Sequence, residues 1–258
     1  MNTTLVVNAK GGVGKTTIST NLASYFAAQG EPTTIADYDP QGSSLNWLRL
    51  RPPLHVPVHG ADLAQRNGAP QVAGRRHIPI ETRQLIMDAP AGPSRLLLQD
   101  LLSRGPQSIL IPVAPSSIDV HATANFIREL LLVGHVRLRT TRVAVVANRV
   151  PGNRPVYEPL ERFVASLKIP FIARLSDSPV YVEAAESGLG LFDLPAELCD
   201  REQREFLPVA RWAQGLDVET APAAVSPAPV AAASDAAVDA VATEAPPSNV
   251  IPFRTVRS

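Results

Sequence analysis

The stretch Asn8–Gly30, "NAKGGVGKTTISTNLASYFAAQG", decides how the rest of the chain is read. It begins where an apolar run, "TTLVVNA" (Thr3–Ala9), ends, and it leads through three glycines into an amphipathic pattern over Thr16–Gln29. A strand, a glycine-rich turn and a helix opening with Lys-Thr form a cradle for phosphate. The glycines let successive backbone N–H groups turn toward one anion, and the helix N-terminus adds its partial positive charge. Gly11, Gly12, Val13, Gly14, Lys15, Thr16 and Thr17 line such a cradle, with Lys15 reaching the β- and γ-phosphates and the Thr16 hydroxyl meeting Mg²⁺. The general pattern has Gly where this chain has Ala9, and it needs one lysine only. Lys10, on the near side of the glycines, points away from its own cradle and asks for another target.

Further apolar runs follow at intervals: "TTIAD" (Thr33–Asp37), "RQLIMDAP" (Arg83–Pro90), "QSILIPVAP" (Gln107–Pro115), "RVAVVANRV" (Arg142–Val150) and the shorter "IPFIARL" (Ile169–Leu175). Helical patterns over 94–103, 120–133 and 156–167 alternate with them. Strands alternating with helices predict an α/β fold, a mostly parallel twisted sheet with helices on both faces. Chemistry in such sheets gathers beyond the carboxyl ends of the strands, where Lys10, Asp37, Asp88, Pro112 and Asn148 fall. Pro52–Pro79, rich in Gly, Pro and His, reads as an irregular connection. Residues 1–216 form the expected domain. Residues 217–258 are Ala/Pro-rich, lack aromatics before Phe253 and are expected to be a disordered tail.

Across 258 residues, 24 basic and 24 acidic side chains balance. The tail carries five acids and two arginines, which leaves the body mildly basic. Lysine is scarce: Lys10, Lys15 and Lys168 are all there are, and two of the three sit in the opening stretch. A single cysteine, Cys199, excludes an internal disulfide or a thiolate cluster, and five histidines show no metal-ligand spacing. No basic-then-apolar leader and no run of bilayer length is present, so a cytoplasmic location is expected.

"KGGVGKTT" resembles the deviant phosphate loop of the ParA/MinD ATPases, which accepts residues other than Gly at the position of Ala9. The resemblance extends over about Thr3 to Gly215 and looks most like the small ParA-type partition proteins. It implies ATP and Mg²⁺ as cofactors and slow, partner-stimulated ATP hydrolysis. It implies a role for Lys10: crossing to the phosphates held by a second subunit, so that two ATP molecules are sandwiched in a homodimer. "DYDPQGSSLNWL" (Asp37–Leu48) resembles the first switch, with Asp39 orienting the attacking water and Asp37 supporting the metal shell. "LIMDAPAG" (Leu85–Gly92) supplies Asp88 as the strand-end carboxylate that holds Mg²⁺ through water. By the same analogy Asn148 hydrogen-bonds adenine and the loop ending at Pro179 packs on it. A larger ParA with an added N-terminal DNA-reading domain fits less well, since Met1 lies only a few residues before the loop.

The expected work is partitioning or positioning of a plasmid, a chromosome region or a protein assembly, on the nucleoid, with a ParB-like or other stimulating partner. Non-specific DNA binding needs only clustered cations. Arg174 in "ARLSDSPV", and Arg204 and Arg211 in "DREQREFLPVARWAQ", are the candidates, although Pro208 and the interleaved Glu202 and Glu205 weaken the last two. The rival expectation is a MinD-like or secretion-linked scaffold that recruits a protein without DNA. The related iron–sulfur reductases lack support because their thiolates are missing. A MinD-type membrane anchor lacks support because "NVIPFRTVRS" is broken by Pro252 and carries two arginines only.

Overall fold

The computed structural model describes residues 1–64, 77–133, 140–151 and 155–218, all within the compact unit Met1–Val225. Elements follow the chain as β1 (Asn2–Val6), α1 (Lys15–Ala28), β2 (Thr33–Asp37), α2 (Ser43–Leu50), β3 (His59–Asp62), β4 (Gln84–Asp88), α3 (Arg95–Ser103), β5 (Ser108–Val113), α4 (Ser117–Val133), β6 (Arg142–Val150), α5 (Glu158–Ser166), β7 (Phe171–Ser176), α6 (Val180–Glu186) and α7 (Ala196–Ala213). The seven described strands form one sheet in the order β3-β2-β4-β1-β5-β6-β7, and every pairing is parallel.

The apolar runs are continuous because the sheet is buried on both faces. Successive residues alternate between two cores: Leu5 and Val7 join one and Val6 the other, and Ile109 and Ile111 are divided from Leu110 in the same way. The first core packs under α3, α4 and α5 through Leu98, Phe126, Ile127 and Leu160. The second packs under α1, α2, α6 and α7 through Ile18, Leu22, Phe26, Trp47, Tyr181 and Phe206. Ile18, Leu22 and Phe26 recur at four-residue spacing, so α1 turns one stripe inward and all three are fully buried. Gly30, at φ +75, closes α1 with its N–H on the Ala27 carbonyl.

The sheet reverses its direction of growth at β1. From β1 the chain steps to β2 on one side, and after β4 it crosses to β5 on the other. This reversal opens a crevice at the carboxyl ends of the central strands. Register levels those ends: Val6 pairs with Asp88, and Asp88 with Asp37.

Two sequence expectations need correction. Within Pro52–Pro79, read as irregular, His59–Asp62 forms edge strand β3 against β2; residues 65–76 lie outside the described residues. "HGAD" carries no apolar run because only Ala61 turns fully inward, so its strand signal is weak. Pro208 does not interrupt its helix: α7 runs through it, and the one non-helical residue is Cys199, near the start. The expected tail lies beyond the described residues from 219 onward.

Helix α7 belongs to the core, so Phe206→Ala, which empties a fully buried site, is expected to cost about 3–5 kcal/mol of unfolding free energy. Arg211→Ala, exposed on the same helix, should stay within about 0.5 kcal/mol. Urea titration of both variants checks this; equal effects would remove α7 from the core.

Candidate functional site

The loop from Asn8 to Lys15 crosses the crevice between β1 and α1. Gly12 and Gly14 adopt φ +76 and +93, a region that side chains with a Cβ rarely enter. A Cβ on Gly14 would also stand 1.9 Å from Nδ2 of Asn148. Asn148 thus lies directly against the loop, and its Nδ2 donates to the Val13 carbonyl at 3.0 Å. Asn8, fully buried, anchors the other end: its Nδ2 donates to the Pro112 carbonyl at 2.7 Å and to Thr123 Oγ1 at 2.9 Å. Asn8 was not singled out from sequence. Its one signal is a polar residue ending an apolar strand.

The two lysines diverge. Lys15 is buried, and its Nζ donates to the Lys10 carbonyl at 3.0 Å. Burial pulls the Lys15 ammonium below the usual lysine range, and the charges of Asp88 and Asp39 oppose that pull. The Lys10 side chain leaves the loop on the other side and lies 4.0 Å from Asp119 Oδ1, at the start of α4, with 41% of its surface exposed.

Below the loop, Thr16 Oγ1 donates to Asp88 Oδ2 at 2.9 Å. Asp88 is 1% exposed, and its Oδ1 is buried without a hydrogen-bond partner. Burial, then the neighbouring Asp37 charge, push its carboxyl up to about 7. A hydroxyl beside a carboxylate with an unfilled buried oxygen is a hard donor set, and it fits a Mg²⁺ held through Thr16 and Asp88. Asp37 sits differently. Its Oδ2 accepts from Ser44 Oγ at 2.7 Å and Leu45 N–H at 3.3 Å, while Oδ1 accepts from Asp39 N–H at 2.9 Å. Protein donors occupy both oxygens, so here Asp37 staples the start of α2 and shapes the Asp39 turn. Burial raises its carboxyl as well. Asp39 Oδ1 accepts from Gln41 N–H at 2.9 Å, which holds the carboxylate over a half-buried turn.

Beside the loop lies a cleft of about 400 Å³ lined by Thr16, Thr17, Asn148, Ser176, Asp177 and Tyr181 among others. Pro179 is exposed and caps α6, its carbonyl accepting from Val182 and Glu183. Thr16, Thr17 and Asn148 thus meet in one cleft, and Pro179 is not part of its lining.

The arginines do not converge. Arg174 pairs with Glu161 and lies 5.0 Å from the Phe171 ring centroid, only 21% exposed, which takes it out of any free cationic surface. Arg204, 70% exposed, pairs with Asp200 at 2.6 Å. It shares a shallow surface cleft with Arg211.

The family model described as the CobQ/CobB/MinD/ParA nucleotide binding domain matches residues 4–192. The chain belongs to that family. It is 27% identical over 198 residues to the maintenance of carboxysome distribution protein A (McdA) of Halothiobacillus neapolitanus, which covers 75% of this chain and 88% of that relative. It is 30% identical over 151 residues to the chromosome-partitioning ATPase Soj of Thermus thermophilus, 48% of this chain and 59% of Soj. Among solved structures, MinD of Aquifex aeolicus superposes with a TM-score of 0.60 at 16% identity, covering 86% of this chain and all of MinD. An ATP complex of a Cyanothece McdA variant superposes at 0.59 and 14% identity, covering 86% and 99%. Both share the fold.

The Asp88 environment sets a pH signature. A carboxyl raised on folding favours the folded state fully below its unfolded value of 3.8, and that stability is lost as pH rises toward about 7. Asp88→Asn keeps an acceptor for Thr16 and removes the charge. The gain in melting temperature over the natural protein, without nucleotide, should therefore be larger at pH 8 than at pH 5. An equal difference at both values would show that Asp88 does not titrate in this window.

Proposed function

We propose that this chain is an ATP hydrolase whose ATP-bound form is a sandwich dimer, and that a partner protein stimulates its slow hydrolysis to move or space a cargo. The observation that carries this reading is the divergence of the two lysines: Lys15 faces its own cradle, and Lys10 leaves it. A lysine that its own phosphate cannot use suits a phosphate brought by a second subunit. The relatives support the cargo side, since they are proteins of carboxysome distribution and chromosome partitioning. Residues 1–216 would be the ATPase body and 217–258 a tail.

Each residue then has a role. Backbone N–H groups of Gly11–Thr16 and the α1 N-terminus hold the polyphosphate, and Lys15 neutralises its β- and γ-oxygens. Thr16 and Asp88 would hold Mg²⁺, which would offset the negative charge of the phosphate oxygens. Asp39 orients a water toward the γ-phosphate, and Asp37 sets the turn that carries it. Asn148 and the Asp177–Pro179 loop enclose the base.

A nucleoid surface would use Arg204 and Arg211, with Arg174 withdrawn by Glu161. That withdrawal also favours the second reading, a MinD-like or secretion-linked scaffold that recruits protein without DNA. Among the described residues no helix is long and apolar enough to cross a membrane. Filter binding of random duplex DNA with ATP separates the readings. The nucleoid reading expects retention that falls steeply with salt and weakens in Arg204→Ala/Arg211→Ala. No retention at low salt favours the scaffold.

Lys10→Ala tests the dimer. Each subunit keeps its own cradle, so nucleotide affinity should be nearly unchanged. The dimer loses two charge-assisted contacts, together about 3–6 kcal/mol, or about two to four orders of magnitude in dimer affinity. Sedimentation with ATP beside nucleotide titration of the same variant provides the check. Normal ATP-dependent dimerisation would make Lys10 a surface charge only. Lys15→Ala, in contrast, should abolish nucleotide binding itself.

A further inference from the structure

The segment Gly188–Asp193, "GLGLFD", lies far in sequence from the phosphate loop and the switch, yet it touches the helices that carry both. Toward α1, Asn21 Oδ1 accepts from Leu191 N–H at 2.8 Å. A Cβ on Gly190 would stand 2.5 Å from the Cβ of Ser24, so the backbone itself packs against that helix. Toward α2, Trp47 Nε1 donates to the Leu189 carbonyl at 3.0 Å. Gly188, at φ +68, lets its backbone approach the end of α2 so closely that a Cβ there would lie 2.3 Å from Arg51 N.

The contact is closed by a buried ion pair. Arg51, at the C-terminus of α2, grips Asp193 with both terminal nitrogens, Nη1 to Oδ2 at 2.7 Å and Nη2 to Oδ1 at 2.7 Å. Each side chain is 5% exposed. Arg51 Nε donates to the Val56 carbonyl at 3.0 Å, Nη1 approaches the Gly188 carbonyl at 3.4 Å, and the guanidinium lies 5.3 Å from the Trp47 ring centroid. Asp193 also accepts from Gly190 N–H at 2.9 Å, and His55 Nδ1 lies 3.7 Å from its Oδ1. Planar, two-pronged pairing of this kind fixes orientation as well as distance. Buried pairs of this kind are weak evidence for stability, because desolvation offsets much of their attraction. Here burial is outweighed by the Arg51 fork and the Gly190 N–H, which hold the Asp193 carboxyl below its usual range, and the fork fixes geometry besides.

We propose that Arg51 and Asp193 form a clasp that positions the switch. By fixing α2 against the segment that also holds α1, the clasp sets where Asp39 stands relative to the phosphates cradled by Lys15 and Thr16. The link runs along α2: Arg51 holds one end, and at the other Ser44 and Leu45 hold Asp37, which holds the Asp39 N–H. Arg51 and Asp193 touch no nucleotide in this reading and are positioning residues. The inference rests on the assignment of Asp39 as the residue that aligns water.

The test is the double variant Arg51→Met/Asp193→Leu, which removes both charges and leaves no uncompensated ion in the core. Its affinity for a non-hydrolysable ATP analogue should stay within about threefold of the natural protein, while single-turnover ATP cleavage falls at least about tenfold, the split expected when alignment alone is lost. Arg51→Lys, which keeps the charge without the fork, should fall between. Trp47→Phe removes the indole donor to Leu189 and part of the buried ring beside Arg51, and should slow cleavage with affinity unchanged, so the idea stays exposed if the double variant does not fold. Natural cleavage rates in either folded variant would overturn the clasp. Asp39→Ala is the control: if it cleaves normally, the Asp39 assignment fails, whereas slow cleavage there with normal rates in the clasp variants defeats the clasp alone.

Discussion

Asp37 and Asp88 end adjacent strands in register, at 0% and 1% exposure, with the buried Lys15 ammonium near Asp88 and Asp39. Two carboxylates side by side in a desolvated crevice are unfavourable, and much of the surrounding structure answers that problem. Asp37 is satisfied by the first turn of α2 and by the Asp39 peptide, which determines where α2 begins. Asp88 is satisfied on one oxygen by Thr16, in the first turn of α1. Its second oxygen has no donor at full hydrogen-bond distance, although the Ser19 hydroxyl lies near enough to ease its charge, and a hydrated cation can complete it where an apolar neighbour cannot. The parallel sheet matters chiefly because it holds these two strand ends level.

Three asparagines hold the walls of the site. Asn8 ties the loop's entry to β5 and α4, Asn148 supports its crest from β6, and Asn21 joins α1 to the segment before α7. Each presents an amide dipole without net charge, so it braces backbone groups without adding to the charge of the crevice. A carboxylate at these places would worsen the repulsion around Asp88, and an aliphatic residue would leave carbonyls such as that of Val13 without their donor.

The parts of this site legible in the sequence are those whose signals are local. Glycine spacing places Gly12 and Gly14 at positive φ, an apolar run marks each central strand, and a carboxylate at the end of a run marks a strand end. Helix α1 declares itself through Ile18, Leu22 and Phe26. What was not legible depends on partners distant in sequence. Arg174 looked like a surface cation until Glu161, 13 residues away on α5, claimed it. Arg51 and Asp193 are 142 residues apart, and nothing near either one announces the other. Edge strand β3 escaped notice because a strand with one neighbour and one buried residue needs no apolar pattern. The donors that hold Asp37 were not legible either, because they come from a helix start whose angle a sequence does not specify.

Lys10 shows how one residue can serve both sides of a loop. Its carbonyl turns inward and accepts from Lys15, while its ammonium turns outward toward Asp119. These contacts differ in strength. The carbonyl is a neutral acceptor for a buried ammonium, so an arriving phosphate offers Lys15 a stronger, charge-assisted partner with little rearrangement. The Asp119 contact is long and partly solvated, and exposed pairs of that kind contribute about 0–1 kcal/mol. Neither lysine is held tightly where it stands. Lys10 directs its carbonyl to Lys15 and its ammonium to Asp119, so its backbone and its side chain serve different neighbours.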